Sequence, residues 1–189
     1  MYKLCKSEQS ATRQKQLEQG LLKAMLTQRY EDISVSDLCD QMGIPRKSFY
    51  RYFSNKDGAL CALLDHTLME FEQLPSISDK AAGSKALGDL ERFFVFWYDH
   101  KELMDALVRN RLSGMLVERA TGHALHERMM PAYLLSKDES SQQLALTFAV
   151  CGLLAMVMQW HGDGYRKTPA QMAQVATMML TKPLVSGHK

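Results

Sequence analysis

The stretch ISVSDLCDQMGIPRKSFYRYF, residues 33–53, constrains the fold more than any other part of the chain. Ser34, followed three residues on by Asp37, is a helix-starting pair: the hydroxyl takes an orphan backbone N–H and the carboxylate reaches back. The helix so begun, over 35–42, ends at Gly43, because glycine enters the left-handed backbone that closes a helix without steric cost. Pro45 then opens a second helix, where its missing N–H costs nothing. Two short helices joined by such a turn form a helix-turn-helix.

The rest of the chain is also helical in its periodicity. Leu17, Leu21 and Met25 recur at i, i+4, as do Leu60, Leu64 and Leu68, and no long alternating pattern argues for a strand. The fold class predicted is all-α. Further helices are expected over 11–28, over 56–73 with Ser54 or Asn55 as cap, and over 85–100, 102–110, 113–130, 142–160 and 169–180. LPSISDKAAGS, PAYLLSKDESS and HGDGYRKT read as connectors. The domains expected are a helix-turn-helix domain over 1–55, with an arm over 1–10, and a larger helical domain over 56–189. The segment MYKLCKSEQSATRQK either adds a basic arm over a polyanion or frays into solvent.

At 189 residues, 46% apolar and 23% charged, the chain has the composition of a folded globular protein. Its net charge of +2 is small but uneven: residues 1–60 hold ten Lys/Arg against seven Asp/Glu, and residues 61–189 hold thirteen against fourteen. Cys5, Cys39, Cys61 and Cys151 lie far apart and form no C-x-x-C pair, so they read as reduced thiols in a cytoplasmic protein, with no metal site assigned. The N-terminus has no apolar run suited to a signal peptide or anchor. LALTFAVCGLLAMVM, residues 144–158, falls short of the roughly 20 residues that span a bilayer, so a buried helix is expected and no membrane partner. Enzyme motifs are missing: there is no G-x-S-x-G, no phosphate-cradling glycine loop and no H-E-x-x-H, so no catalytic residues and no cofactor are assigned.

A wheel at 100° per residue over 46–53 puts Phe49 and Phe53 on one side and Lys47, Ser48 and Arg51 roughly opposite, with Tyr50 and Tyr52 flanking the polar side. Phe49, Phe53 and Ile44 therefore anchor the helix, and the other face offers donors to an anion or a base edge. Ser34 and Lys56 stand at helix N-termini, where backbone N–H groups and the helix dipole favour a phosphate.

These residues resemble the DNA-binding domain of the TetR/AcrR family of bacterial transcriptional regulators, over about Gln16 to Leu68. The likeness is carried by ISVSDLCDQMGIPRKSFYRYFSNKDGAL: Ser34 at the helix start, the Gly43 turn, SFYRYF at 48–53 and Lys56 opening the next helix. It implies a homodimer whose second short helices enter successive major grooves of palindromic double-stranded DNA. It also implies a helical C-terminal domain that binds a small-molecule effector and dimerises through a four-helix bundle. By position, phosphate contacts fall on Ser34, Tyr50 and Lys56, and base reading on Arg46, Lys47, Ser48 and Arg51. Lys47 departs from the small residue or glycine that many members carry there. The resemblance favours a repressor; the alternative is a co-regulator of the same fold that acts through a protein partner.

In the C-terminal part, ERFFVFWYDHK at 91–101 is too densely aromatic for one helix face. Phe94, Trp97 and Tyr98, with Met104, Met115, Trp160 and His161, are the candidates to line an effector pocket, and packing as core is the competing reading. The helix over 142–160 is apolar nearly all round, and its small residues permit close approach by another helix. Phe148, Gly152 and Ala155, with Met172, Val175 and Met179 on the last helix, are the expected dimer seam.

Overall fold

The computed structural model describes residue 2 and residues 7–75, 82–126 and 138–181. Cys5, most of the arm, 76–81 and 131–137 of the connectors, and 127–130 at the end of one expected helix lie outside the described residues.

The described residues are all-helical apart from one isolated bridge. They form α1 (Glu8–Thr27), α2 (Val35–Gln41), α3 (Arg46–Tyr50), α4 (Lys56–Glu72), α5 (Ala82–Asp99), α6 (Lys101–Arg109), α7 (Ser113–His126), α8 (Glu139–Gly162) and α9 (Pro169–Thr181). A 3₁₀ turn, Tyr30–Asp32, occupies what reads in the sequence as a plain break after α1. Capping explains where bounds differ from the periodicity. The Ser10 N–H donates to Ser7 Oγ at 3.3 Å, which starts α1 three residues earlier than its apolar pattern. Asp138 accepts from the Ser141 hydroxyl at 2.6 Å and from the Ser141 N–H at 2.8 Å and so lengthens α8; these bonds, the hydroxyl's first, hold its carboxyl below the usual carboxylate range.

Two compact units divide the chain. The first comprises Met1–Glu70 and Asp105–Arg119, the second Phe71–Met104 and Ala120–Lys189. In the first, the periodic residues Leu17, Leu21, Met25, Leu60, Leu64 and Leu68 are all buried, as are Leu38, Phe49 and Phe53. In the second, α5 packs along α9 and Phe94 meets Trp160 edge-on, with ring centroids 5.8 Å apart.

Two expectations need correction. Tyr2 does not fray: its backbone bridges Phe53 in antiparallel fashion and its hydroxyl donates to Asp65 at 2.8 Å. Nor is α8 buried all round. It is long and apolar enough to cross a membrane by length and composition, yet only 28% of that apolar window is buried. Leu146, Ala149, Leu154, Val157 and Trp160 face inward at helical spacing, while Leu144, Phe148, Gly152 and Ala155 are exposed.

Candidate nucleic-acid interface

The helix-turn-helix forms by local chemistry. Ser34 Oγ accepts the Asp37 N–H at 3.0 Å and donates to the Asp37 carboxylate at 2.6 Å, so the carboxylate reaches the cap's hydroxyl rather than its backbone. At the other end, Gly43 has φ of +63°, and the Ile44 N–H donates to the Cys39 carbonyl at 2.9 Å, closing α2 in a Schellman turn. Pro45 falls one position before its expected place, as the N-cap of α3, and its carbonyl accepts from the Ser48 N–H at 2.8 Å.

Helix α3 is shorter than the wheel assumes. It ends at Tyr50, and the Tyr52 and Phe53 N–H groups both donate to the Phe49 carbonyl as the chain turns. Tyr52 is therefore buried rather than on the polar flank, because a 100° step does not continue through a turn. Phe49 and Phe53 are fully buried, with ring centroids 5.2 Å apart. Beside them Arg46, Lys47, Tyr50 and Arg51 are exposed, and Ser48 is half-buried. Such a surface carries three cations and a phenol on or just past a short helix held by buried aromatics, and these groups can donate to anionic or base-edge acceptors.

Lys56 has a role that its position in the sequence does not disclose. Its ammonium donates to the backbone carbonyls of Tyr30, Glu31 and Ile33 at 2.5, 3.0 and 2.9 Å and lies 4.6 Å from the Tyr30 ring centroid. An ammonium has three donors, and here all three are engaged. The Tyr30 hydroxyl donates to Asp57 at 2.6 Å; burial first, then this bond, pushes the phenol up, so it remains a donor. Asn110, just past α6, accepts the Tyr30 N–H at 2.6 Å and donates to the Met25 carbonyl at 3.1 Å. Arg109 donates to the Leu26 carbonyl at 2.8 Å. Tyr30 is thus the node at which the ends of α1, α4 and α6 are tied. Asn110 and Arg109 escape a reading of the sequence because their partners lie some eighty residues away. Asn55, not Ser54, caps α4, through the Gly58 N–H at 2.8 Å.

Comparison with solved structures places this arrangement. The chain superposes on a TetR-family transcriptional regulator from Streptomyces coelicolor with a TM-score of 0.64 at 18% identity, covering 90% of this chain and 79% of that one. It has the fold of the TetR-family regulators. The fatty acid degradation regulator FadR from Bacillus halodurans gives a TM-score of 0.69 at 16% identity, covering 96% of this chain and 98% of that one. The dihydroxyacetone kinase operon activator DhaS gives 0.56 at 14%, covering 90% and 94%. No protein-family model matches the chain, and no curated protein matches it in sequence. The likeness is therefore one of fold.

Within this TetR-type fold the remaining sequence-selected residues separate. Phe94, Trp97, Met104 and Trp160 are buried in the second unit, and Trp160 Nε1 donates to the Lys167 carbonyl at 3.0 Å. Tyr98 is 38% exposed, with its ring 5.7 Å from Trp160 and Lys101 5.1 Å from its centroid. His161 is half-buried beside Tyr165, and Met115 is half-buried in the first unit. Of the seam candidates, Phe148, Gly152, Ala155 and Met179 are exposed and Val175 is half-buried. Met172 is buried with Ala173 and Ala176 on the inner side of α9. An apolar hollow of about 120 Å³ lies between α8 and α9, lined by Phe148, Gly152, Met156 and Met179 among others.

Proposed function

We propose that this protein is a non-enzymatic, sequence-specific DNA-binding transcriptional regulator, a repressor released from its operator by a small-molecule effector. The observation that carries the reading is the α2–turn–α3 unit. A recognition helix must be rigid on one side and offer donors on the other, and here buried Phe49 and Phe53 support exposed Arg46, Lys47, Tyr50 and Arg51. Arg46, Lys47, Ser48 and Arg51 are assigned to base edges, and Ser34 and Tyr50 to the phosphate backbone, which fixes register without reading sequence. Lys56 acts from behind by holding the 3₁₀ turn in place, since its donors are spent on carbonyls.

The functional domains in this reading are 1–55 for DNA and 56–189 for effector binding and dimerisation in a cytoplasmic homodimer. The exposed stripe Leu144, Phe148, Gly152 and Ala155, with Val175 and Met179, is the seam, because such an apolar face on a DNA regulator is covered most simply by a second copy across a two-fold axis. Met172 is left out of it. For the effector, Tyr98 and His161 are the accessible members of the candidate set, while Phe94, Trp97 and Trp160 are packed, so binding requires that edge to open. The effector lowers DNA affinity only as far as it prefers the released arrangement, by about 1–3 kcal/mol in typical cases.

Selection of bound duplexes from a random pool by the purified protein, with the stoichiometry of the winning complex, tests the reading. A palindrome held by a dimer is expected. No enrichment by folded protein overturns it in favour of a co-regulator that works through a protein partner.

A further inference from the structure

Tyr2 takes no part in the proposed DNA contacts, yet it is built into the first unit. Its backbone forms an antiparallel bridge with Phe53, the buried residue on which the chain leaves α3. Its hydroxyl donates to Asp65 Oδ2 at 2.8 Å, and its ring meets His66 edge-on at 5.9 Å. Asp65, on α4, is 3% exposed, and Arg119 of α7 grips both of its oxygens, Nε on Oδ1 and Nη2 on Oδ2. A buried carboxylate is costly unless its lone pairs are met and its charge is paired. Arg119 supplies the charge and two donors, and Tyr2 supplies a third. The phenol lies 63 positions from Asp65 in sequence, so the contact is a tertiary one that local chain preference does not supply.

We propose that Tyr2 acts as an intramolecular strap: it fastens the exit of α3, at Phe53, to the buried Asp65–Arg119 pair, and so sets how firmly α3 is held. The strap itself stands on these contacts alone; only its effect on DNA affinity rests on the function proposed above. The geometry also assigns Tyr2 to the protein rather than to the DNA backbone, because Asp65 holds its hydroxyl and Phe53 its backbone.

The test is hydrogen exchange on the full chain without DNA, comparing wild type with Tyr2→Phe and Tyr2→Ala; Lys3 and Lys6 stay in both variants. Amides over 49–55 are expected to exchange about tenfold faster in Tyr2→Phe, which loses one hydrogen bond to a charged group, and faster again in Tyr2→Ala. Amides of α9 keep their rates. Wild-type rates over 49–55 in both variants overturn the strap, and so does equal acceleration in α9, which would mark a general loss of stability. Should Tyr2→Ala not fold, Tyr2→Phe decides, since it keeps ring and bridge. On a duplex selected with the wild type, Tyr2→Phe is expected to bind more weakly with an unchanged dependence on salt; a reduced salt slope would place the segment on phosphates and overturn the proposal. Failure of the wild type to bind any duplex removes the function proposed above and leaves the exchange result to decide the strap.

Discussion

The backbone N–H of Tyr30 donates to Asn110 Oδ1 at 2.6 Å, joining the turn before α2 to the end of α6 across eighty positions of sequence. The same amide group gives its Nδ2 to the carbonyls of Met25 and Ala106, at 3.1 and 2.8 Å. One side chain therefore satisfies an orphan carbonyl at the end of α1, an orphan N–H in the turn and a carbonyl of its own helix.

Asn110→Ala removes all three bonds and leaves their backbone partners in a half-buried place. The expected cost is about 1–3 kcal/mol of folding stability, the range for stranding buried polar groups. Urea denaturation reads it directly, and a change within about 0.5 kcal/mol, the ordinary range for a surface substitution, would contradict the role.

Lys56 and the α3 cations should behave differently. Lys56→Ala frees three carbonyls and is expected to lower stability by about 1–3 kcal/mol. It should weaken binding to all duplexes alike, with little change in salt slope, because the ammonium is already spent within the protein. Lys47→Ala and Arg51→Ala remove exposed cations, leave stability within about 0.5 kcal/mol, and change which bases are preferred. Paired denaturation and duplex selection separate the two behaviours; a full phosphate's worth of salt slope lost with Lys56 would return it to the DNA face.

The contrast shows what the sequence conveys. Ser34, Gly43, Phe49 and Phe53 are legible because caps, left-handed turns and i, i+4 spacing are local, and the structure uses each of them. The tie between Lys56 and the 30–33 carbonyls, the Asn110 clamp and the Asp65–Arg119 pair are set by tertiary packing, which composition and period do not encode. Tyr52 departs from the wheel because a helix of five residues ends before the 100° step reaches it. The α8 apolar run is plain in the sequence, but which of its sides the fold leaves open depends on tertiary packing.

His66 gives the protein a dependence on pH. Its Nδ1 lies 3.0 Å from Oε2 of Glu18, which is 1% exposed; Asp65 and Lys15 also act on it, and the Tyr2 ring meets it edge-on. The hydrogen bond to Glu18 raises the imidazole above its ordinary value of 6.5, against the opposing effect of burial. A raised folded-state value means that the protonated pair stabilises fully below about pH 6.5 and that this contribution is lost as pH climbs through the raised value. His66→Gln should therefore lower the melting temperature most in mildly acidic solution, with the difference from wild type shrinking as the solution becomes alkaline. Melting curves across that range check the sign, and a difference that grows with pH would contradict it.

Phe148 tests the proposed seam. Its ring is 66% exposed at the edge of the hollow between α8 and α9, while Met172 on the neighbouring helix is only 7% exposed. A phenylalanine central to a two-fold interface occurs twice per dimer, so its removal acts twice. Phe148→Glu also brings a charge to the apolar stripe of both copies. Truncating a central aromatic anchor costs about 2 kcal/mol or more, so two copies weaken the dimer by roughly a thousandfold. Sedimentation equilibrium should then find monomer where the wild type is dimeric, with unfolding of the monomer otherwise intact. Met172→Ala should do the reverse: about 2–5 kcal/mol of folding stability lost to a cavity, with little change in the monomer–dimer constant once folded. A Phe148→Glu protein that stays dimeric would show that the exposed stripe on α8 is not the seam.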